Sequence, residues 1–132
     1  MDLRALISAE FLRRRKRNPR YSLRAFARDL GTHHSTLARL LQRRRRLTSR
    51  TVRSPGARLG LGGADLAHAC ITEHTDIILD LARRRGFCAD SRWIATRSGL
   101  PLDEVNVALH QLVHSGRITM SSPSTWIPES LS

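Results

Sequence analysis

One spacing of small and apolar residues occurs twice in this sequence and restricts how the surrounding helices can pack. In the stretch FARDLG, Ala27 stands four residues before Gly31, and the apolar Leu37 follows six residues after that glycine. In the stretch IATRSG the alanine again precedes the glycine by four residues, and Val105 follows six residues after it. A small residue lets two helices cross closely, and a glycine takes the positive φ of a tight turn at no steric cost. We therefore expect two pairs of helices, each joined by a short turn.

The N-terminal residues have the hydrophobic pattern of two helices. Leu3, Ile7 and Phe11 recur every four residues, which predicts a first helix. It should end near Asn18, because the residue before a proline avoids helical geometry. Ser22 is then placed to cap a second helix, which the first glycine of the repeated spacing should end.

Two further helices are predicted directly after this glycine turn. The third is expected over residues 34–42 and the fourth over residues 48–61. Pro55 and Gly56 interrupt the fourth pattern, and inside a helix a proline costs roughly 3 kcal/mol and a glycine about 1 kcal/mol. We therefore expect a break or a kink at Pro55-Gly56, followed by a linker in the stretch LGLGG at 59–63.

The second half of the chain has a helical pattern that ends in a hairpin. Helices are expected over residues 64–85, 90–99 and 101–116, the first of them as one helix or two. Asp90 or Ser91 should cap the middle one. The stretches RITM at 117–120 and TWIP at 125–128 flank the polar SSPS and predict a β-hairpin. The predicted fold class is therefore mainly α, with a short C-terminal β-hairpin.

The positive charge of the chain is confined to its first half. Residues 1–61 contain 17 basic and three acidic residues, whereas residues 62–132 contain six basic and eight acidic ones, so the net charge of +12 comes from the first half. Such a balance makes a polyanion the expected partner of that half. Lys16 is the only lysine, and arginine suits bidentate contacts with phosphate and guanine.

The stretch LGTHHSTLARLLQRRRRL, residues 30–47, joins the turn glycine to residues that suit a contact with nucleic acid. In a helix-turn-helix, the start of the second helix meets base edges in the major groove of double-stranded DNA, and neighbouring basic residues contact phosphates. The side chains that we expect to reach bases or phosphates from the helix at 34–42 are His33, His34, Ser35, Thr36 and Arg39. Phosphate contacts are expected from Arg24, Arg43, Arg44, Arg45 and Arg46.

A simpler interpretation of these residues stays open at the level of sequence. The two histidines would then be solvated surface residues, with His33 merely occupying the capping position of the third helix. A run of four arginines is usually a solvated surface as well. Its position directly after the predicted reading helix favours phosphate contact.

The stretches NPRYSLRAFARDLG and STLARLLQRRRRLT together resemble the lambda-repressor-like (Cro-type) helix-turn-helix. More narrowly, they resemble the opening of an uncharacterised bacterial regulator family, whose members continue into a winged helix. The resemblance implies a five-helix DNA-binding domain, placed here at residues 1–61, and a winged-helix-like domain at residues 62–132. In that family the fourth helix is usually uninterrupted, whereas Pro55-Gly56 lies inside it here.

The second spacing resembles a winged helix in particular. Its helix-turn-helix positions are Ile94, Ala95, Gly99, Val105 and Ala108, and the hairpin would form the wing. The helix that would enter DNA begins with the acidic stretch LDE at 102–104, which repels phosphate. We therefore expect residues 62–132 to form a homodimer or to contact a protein partner. Trp93 and Trp126 are expected to pack in the core or against the wing.

No residue pattern indicates a metal, a cofactor or an enzyme. His68, Cys70 and His74 lie close in sequence, and His110 and His114 are four residues apart, but neither a CxxC nor an HExxH motif is present. Scattered surface histidines are the simpler interpretation. The chain also contains no P-loop, no nucleophile elbow and no pair of carboxylates in a setting that would form a pocket.

The remaining features bear on location and lead to one interpretation. Cys70 and Cys88 do not make a disulfide framework, and no apolar run is long enough to span a membrane, so we expect reduced thiols in a bacterial cytoplasm. The run RRRKR at 13–17 would serve as a nuclear signal in a eukaryote. We interpret the sequence as a dimeric DNA-binding transcription regulator, most simply a repressor. The alternatives are a basic RNA- or ribosome-associated protein and a protein-interaction adaptor that uses the winged helix.

Overall fold

The computed structural model describes residues 2–129, which form a mainly helical fold. Helices account for 63% of it. The helices of this part of the chain are α1 Leu3–Arg17, α2 Leu23–Asp29, α3 His34–Leu41, α4 Ser49–Arg58, α5 Gly63–Ala82, α6 Ser91–Ser98 and α7 Leu102–His114. They are followed by the strands β1 Ile118–Ser122 and β2 Thr125–Pro128, which pair as an antiparallel hairpin. The predicted fold class, mainly α with a short C-terminal β-hairpin, is confirmed.

The chain divides into two compact units after Cys70. The sequence analysis placed the division earlier, after Leu61, because of the glycine-rich stretch there. The difference arises from α5, whose first turns supply Leu66 and Ala69 to the hydrophobic core of the first unit. A helical segment stays with the core on which it buries its apolar face, whatever the composition of the residues before it.

The helices of the first unit begin at local capping residues. The side chains of Asp2, Ser22, His33 and Thr48 accept a backbone N–H in the first turn of α1, α2, α3 and α4, respectively. Helix α1 stops at Arg17, directly before Asn18, as the following proline predicts. The helices enclose an apolar core that includes Leu3, Ile7, Phe26, Leu30, Leu37, Leu40 and Val52.

Helix α4 continues through the two residues that were expected to interrupt it. It spans Ser49–Arg58 without a break, so the expectation of a break at Pro55-Gly56 is wrong. A capping box between Thr48 and the third helical residue stabilises its start. Both Pro55 and Gly56 are buried, and Gly56 lies directly against Leu66 of α5. Packing between the two helices therefore outweighs the local cost of proline and glycine.

The second unit begins with the last turns of α5. The expected segment 64–85 is a single helix here, and it ends at Ala82, three residues before the expected end. The Asp90 carboxylate accepts the N–H of Trp93 at 3.1 Å and caps α6. Asp90 is one of the two residues that the sequence predicted for this cap. Gly99 ends α6 in the left-handed conformation, with a φ of 77°.

Helix α7 and the hairpin complete the core of the second unit. The apolar stripe of α7 is buried in full, at Val105, Ala108, Leu109 and Leu112. Ile118 of β1 is buried and lies opposite Pro128 of β2. The ring of Phe87 packs against Trp93 at 5.6 Å and against Trp126 at 6.1 Å between centroids. Both tryptophans are partly buried and pack against the core, which confirms the prediction that they pack in the core or against the wing.

The thiols and the helix lengths settle two smaller points. Cys70 is buried and Cys88 is exposed, and neither takes part in a disulfide. Over residues 2–129, no helix combines the length and the apolar character needed to cross a membrane.

Candidate nucleic-acid interface

Helices α2 and α3 are held together by the residues of the first repeated spacing. The side chains of Phe26, Ala27, Leu30, Leu37 and Leu40 are each at most 1% exposed. Gly31 adopts a φ of +70° in the turn between the two helices. A Cβ on Gly31 would also lie 2.4 Å from the hydroxyl of Ser54, which donates a hydrogen bond to the Leu30 carbonyl at 3.0 Å. The packing that the sequence predicted for this helix pair is therefore confirmed, and α4 adds a second reason for the glycine.

The first turn of α3 is capped by a histidine. The Nδ1 atom of His33 accepts the backbone N–H of Ser35 at 3.4 Å and lies 2.8 Å from the Ser35 hydroxyl. The capping position that the sequence left open for His33 is thus observed. The ring remains exposed and stacks on that of His34, with centroids 4.9 Å apart.

Fewer of the predicted contact residues of α3 are exposed than the sequence led us to expect. Arg39 is exposed, whereas His34, Ser35 and Thr36 are half-buried. Residues at positions i, i+4 and i+7 share one face of a helix, so Ser35 and Arg39 are in line with the exposed Gln42, which caps the C-terminal end of the helix. The sequence analysis did not name Gln42, although this spacing was sufficient to find it. An amide at this position suits an adenine edge.

The four arginines after α3 form an ordered turn with exposed side chains, which we call the arginine run (residues 43–46). The N–H of Arg43 donates to the Leu40 carbonyl at 3.2 Å, and the N–H of Arg44 donates to the Arg39 carbonyl at 2.8 Å. Arg43 has a φ of 59°, which is uncommon for a residue with a side chain. The backbone at the start of the run therefore has one defined conformation.

Two residues at the start of α1 contact the arginine run. The Arg43 guanidinium lies 3.3 Å from the carboxylate of Asp2. Arg4 is buried, and it donates to the Leu40 carbonyl and to the Arg45 carbonyl, both at 2.7 Å. The sequence analysis assigned no role to Arg4, because its partners lie 36 and 41 residues further along the chain. Arg24, the remaining predicted phosphate contact, is exposed in the first turn of α2.

The other two acidic residues within residues 1–61, Glu10 and Asp29, also contact arginine side chains. Glu10 accepts hydrogen bonds from Arg13 at 2.6 Å and from Arg14 at 3.0 Å. These bonds, with that from Arg13 the stronger, lower the pKa of Glu10 from 4.5 to about 2. Asp29 lies 3.8 Å from Arg14 and accepts the hydroxyl of Tyr21 at 2.5 Å. Burial, together with this bond, raises the pKa of Tyr21. Asp2, by contrast, contacts the arginine run, through Arg43.

The aromatic residues of the basic region pack on one another. The Phe11 ring stacks on Phe26 at 5.2 Å, and Tyr21 lies 6.2 Å from both rings. Phe26 is fully buried, and the other two are half-buried against the core. Proteins that recognise single-stranded RNA usually offer exposed aromatic rings to the bases. The aromatic cluster of this unit is used for its own folding instead.

Helix α7 in the second unit exposes three apolar side chains and an acidic one among several polar residues. Leu102, Val107 and Val113 are exposed there, and Asp103 is exposed in the first turn. The rings of His110 and His114 stack at 6.1 Å on the same helix. No set of three or more His, Cys, Asp or Glu side chains within residues 2–129 is arranged to hold a metal ion, so His68, Cys70 and His74 do not form such a set.

Comparisons with known proteins add no relative. No protein-family model, no curated protein and no solved structure matches this chain. The similarity to lambda-repressor-like regulators therefore stays an interpretation of the quoted residues.

Proposed function

We propose that this chain is a sequence-specific transcription regulator that binds double-stranded DNA through its first unit. The observation that carries the proposal is the outward row of α3. Ser35, Arg39 and Gln42 lie in line on a short helix whose opposite face is anchored in the core, and the exposed arginine run follows directly. A helix of this kind fits the major groove, where hydrogen-bonding side chains distinguish base pairs and arginines contact the phosphates at its edges.

The residues have different roles in this proposal. Arg39 and Gln42 contact base edges. His33, which caps α3, and His34 lie where the helix first meets the groove. Arg24 and the arginine run contact phosphates, which fix the position of the protein on the duplex without reading its sequence. Glu10 and Asp29 pair with arginines of α1, and Asp2 pairs with Arg43. The large excess of arginines in residues 1–61 leaves the region strongly positive.

The second unit serves association in this proposal. Exposed valine and leucine side chains on α7, beside an acidic first turn, suit a protein contact better than a phosphate backbone. A homodimer formed in this way would place two α3 helices on half-sites about one helical turn, or ~34 Å, apart. We propose that such a dimer represses transcription in a bacterial cytoplasm by covering a promoter. Substituting Val107 by aspartate should then leave a monomer in sedimentation experiments.

The experiment that tests the proposal is selection of bound duplexes from a random DNA pool. It is done at about 150 mM salt, where exposed charges are screened as in cells, with a random RNA pool in parallel. Enrichment of one DNA motif, as two inverted half-sites if the protein is a dimer, supports the proposal. If no motif emerges, and binding to any duplex disappears as salt is added, sequence-specific regulation is contradicted.

Two other functions are alternatives. The same selection tests the first, and retention of a protein partner tests the second. A basic RNA- or ribosome-associated protein would enrich the RNA pool instead, although the packed aromatic cluster disfavours contacts with single-stranded bases. A protein-interaction adaptor would retain its partner after the arginine run is replaced. The first alternative predicts binding that depends on Arg44 and Arg45 but not on Gln42.

A further inference from the structure

The start of α1 contacts the arginine run at two points and the last turn of α3 at a third. The Nε of Arg4 donates to the Leu40 carbonyl at 2.7 Å, and its Nη2 donates to the Arg45 carbonyl at 2.7 Å. The Asp2 carboxylate lies 3.3 Å from the Arg43 guanidinium. One side chain of α1 thus joins the last turn of α3 to the third residue of the run, and a second side chain contacts its first residue.

We propose that Arg4, assisted by Asp2, is the positioning residue that fixes the arginine run in the conformation that binds phosphate. The inference deepens the proposed function, on which its DNA-binding part rests. Arg4 contacts no phosphate itself, because its guanidinium is buried and directed at backbone carbonyls. It acts through the backbone of residues 43–46.

The physical reason is conformational entropy. A turn that contains an arginine at positive φ is not the preferred conformation of such a sequence in isolation. If the run were free to move, each phosphate contact would also have to order its backbone, and binding would be weaker for the same number of charges. Arg4 orders that backbone before the DNA arrives.

The planar fork of an arginine is required for this role. The two donors of Arg4 reach two carbonyls that belong to different segments, Leu40 at the end of α3 and Arg45 in the run. A lysine would keep the charge but offers its donors from one nitrogen atom, so it cannot reproduce both bonds in the same geometry. Arg4→Lys therefore separates the effect of the charge from the effect of the fork.

The test compares amide hydrogen exchange and DNA binding in Arg4→Met, Arg4→Lys and wild type, using the full chain. Arg58→Met is the matched control, because Arg58 also donates to a backbone carbonyl, that of Asp29 at 3.1 Å, away from the run. In the free protein, the Arg43 and Arg44 amides should exchange about tenfold faster in both Arg4 variants, as expected when a bond to a charged group is lost. The Leu30 amide should be unchanged, and Arg58→Met should leave the run protected.

DNA binding gives the second result. In the plot of log affinity against log salt, each phosphate contact contributes a slope of about 0.9. Both Arg4 variants should lose about one to two such contacts, with an unchanged order of preference among duplexes, whereas Arg58→Met should leave the slope unchanged. Normal protection of Arg43 and Arg44 in a folded Arg4→Met protein would overturn the inference.

The exchange result stands even if the wild type binds no duplex, in which case the proposed function fails and the positioning of the run remains tested. If Arg4→Met does not fold, Arg4→Lys and Asp2→Asn replace it. Asparagine caps α1 as well as aspartate does but loses the ion pair to Arg43, so exchange should rise at Arg43 and less at Arg44. No change in either variant would again contradict the inference.

Discussion

Gly56 of α4 lies so close to Leu66 of α5 that no side chain fits between them. A Cβ built on Gly56 would be 2.3 Å from Cδ2 and 2.6 Å from Cδ1 of Leu66. The leucine is almost fully buried, as is the glycine. The glycine that locally weakens α4 is therefore what allows α5 to pack on it.

The first prediction concerns this contact. Gly56→Ala should destabilise the first unit by about 1–3 kcal/mol, because overpacking a filled core exceeds the gain of about 1 kcal/mol in helix propensity. Urea unfolding measures the change. Gly63→Ala is the matched control, since nothing lies within 4 Å of its Cβ position and it should be neutral or stabilising. Combining Gly56→Ala with Leu66→Ala should cost less than the sum of the two, and strict additivity would argue against the contact.

The second prediction separates base reading from phosphate binding. Arg39→Ala should reduce discrimination at one base position by about 1–3 kcal/mol. Arg44→Ala should weaken all duplexes about equally and lower the salt slope by roughly 1. Binding is measured on the selected motif and on single-base variants at several salt concentrations. Equal weakening by both substitutions, with sequence preference retained, would defeat this division of roles.

The third prediction concerns the residue that the sequence analysis did not name. Gln42→Ala should change the preference at a base position adjacent to that read by Arg39, by about 1–3 kcal/mol, and leave the salt slope as it is. Repeating the duplex selection with the variant measures this. A Gln42→Ala protein that selects the motif of the wild type would exclude Gln42 from the interface.

The fourth prediction concerns acid stability. Because folding lowers the pKa of Glu10 from 4.5 to about 2, its ion pairs stabilise the fold above pH 4.5, and this contribution is lost as the pH falls towards 2. Glu10→Gln should therefore be less stable than wild type at pH 6, by no more than about 1 kcal/mol for an exposed pair. The difference should vanish near pH 2. Thermal unfolding across this range measures it, and removing the first cause with Arg13→Gln should narrow the pH window.

Local sequence features were sufficient to predict most of the fold. Ser22 and Asp90 cap their helices as predicted, because a capping side chain bonds to a backbone N–H within the same turn. The glycine turn before α3 was predictable for the same reason, since a positive φ at Gly31 is a property of that residue and its neighbours. Such features need no knowledge of the rest of the chain.

Two of the features that sequence reasoning misjudged depend on distant residues. The expected break at Pro55 is absent because burial against α5 stabilises the helix, and that burial appears only once the two helices have packed. Arg4 belongs to a strongly basic segment and was grouped with the other charges. Its burial follows from carbonyls more than 35 residues away. The sequence alone does not distinguish a buried arginine from a solvent-exposed one.

At Arg43, the stability of the fold and the proposed phosphate contact favour different residues. Its backbone has the left-handed conformation, φ 59°, for which glycine would be the better residue. Arg43→Gly would therefore be a simple route to a more thermostable protein, since the exposed ion pair with Asp2 that it removes contributes little. If the arginine run binds phosphate, the same change would remove one of its cations. Directed evolution for stability alone should recover this substitution early, and its recovery together with loss of binding would reveal a trade-off between stability and activity at one position.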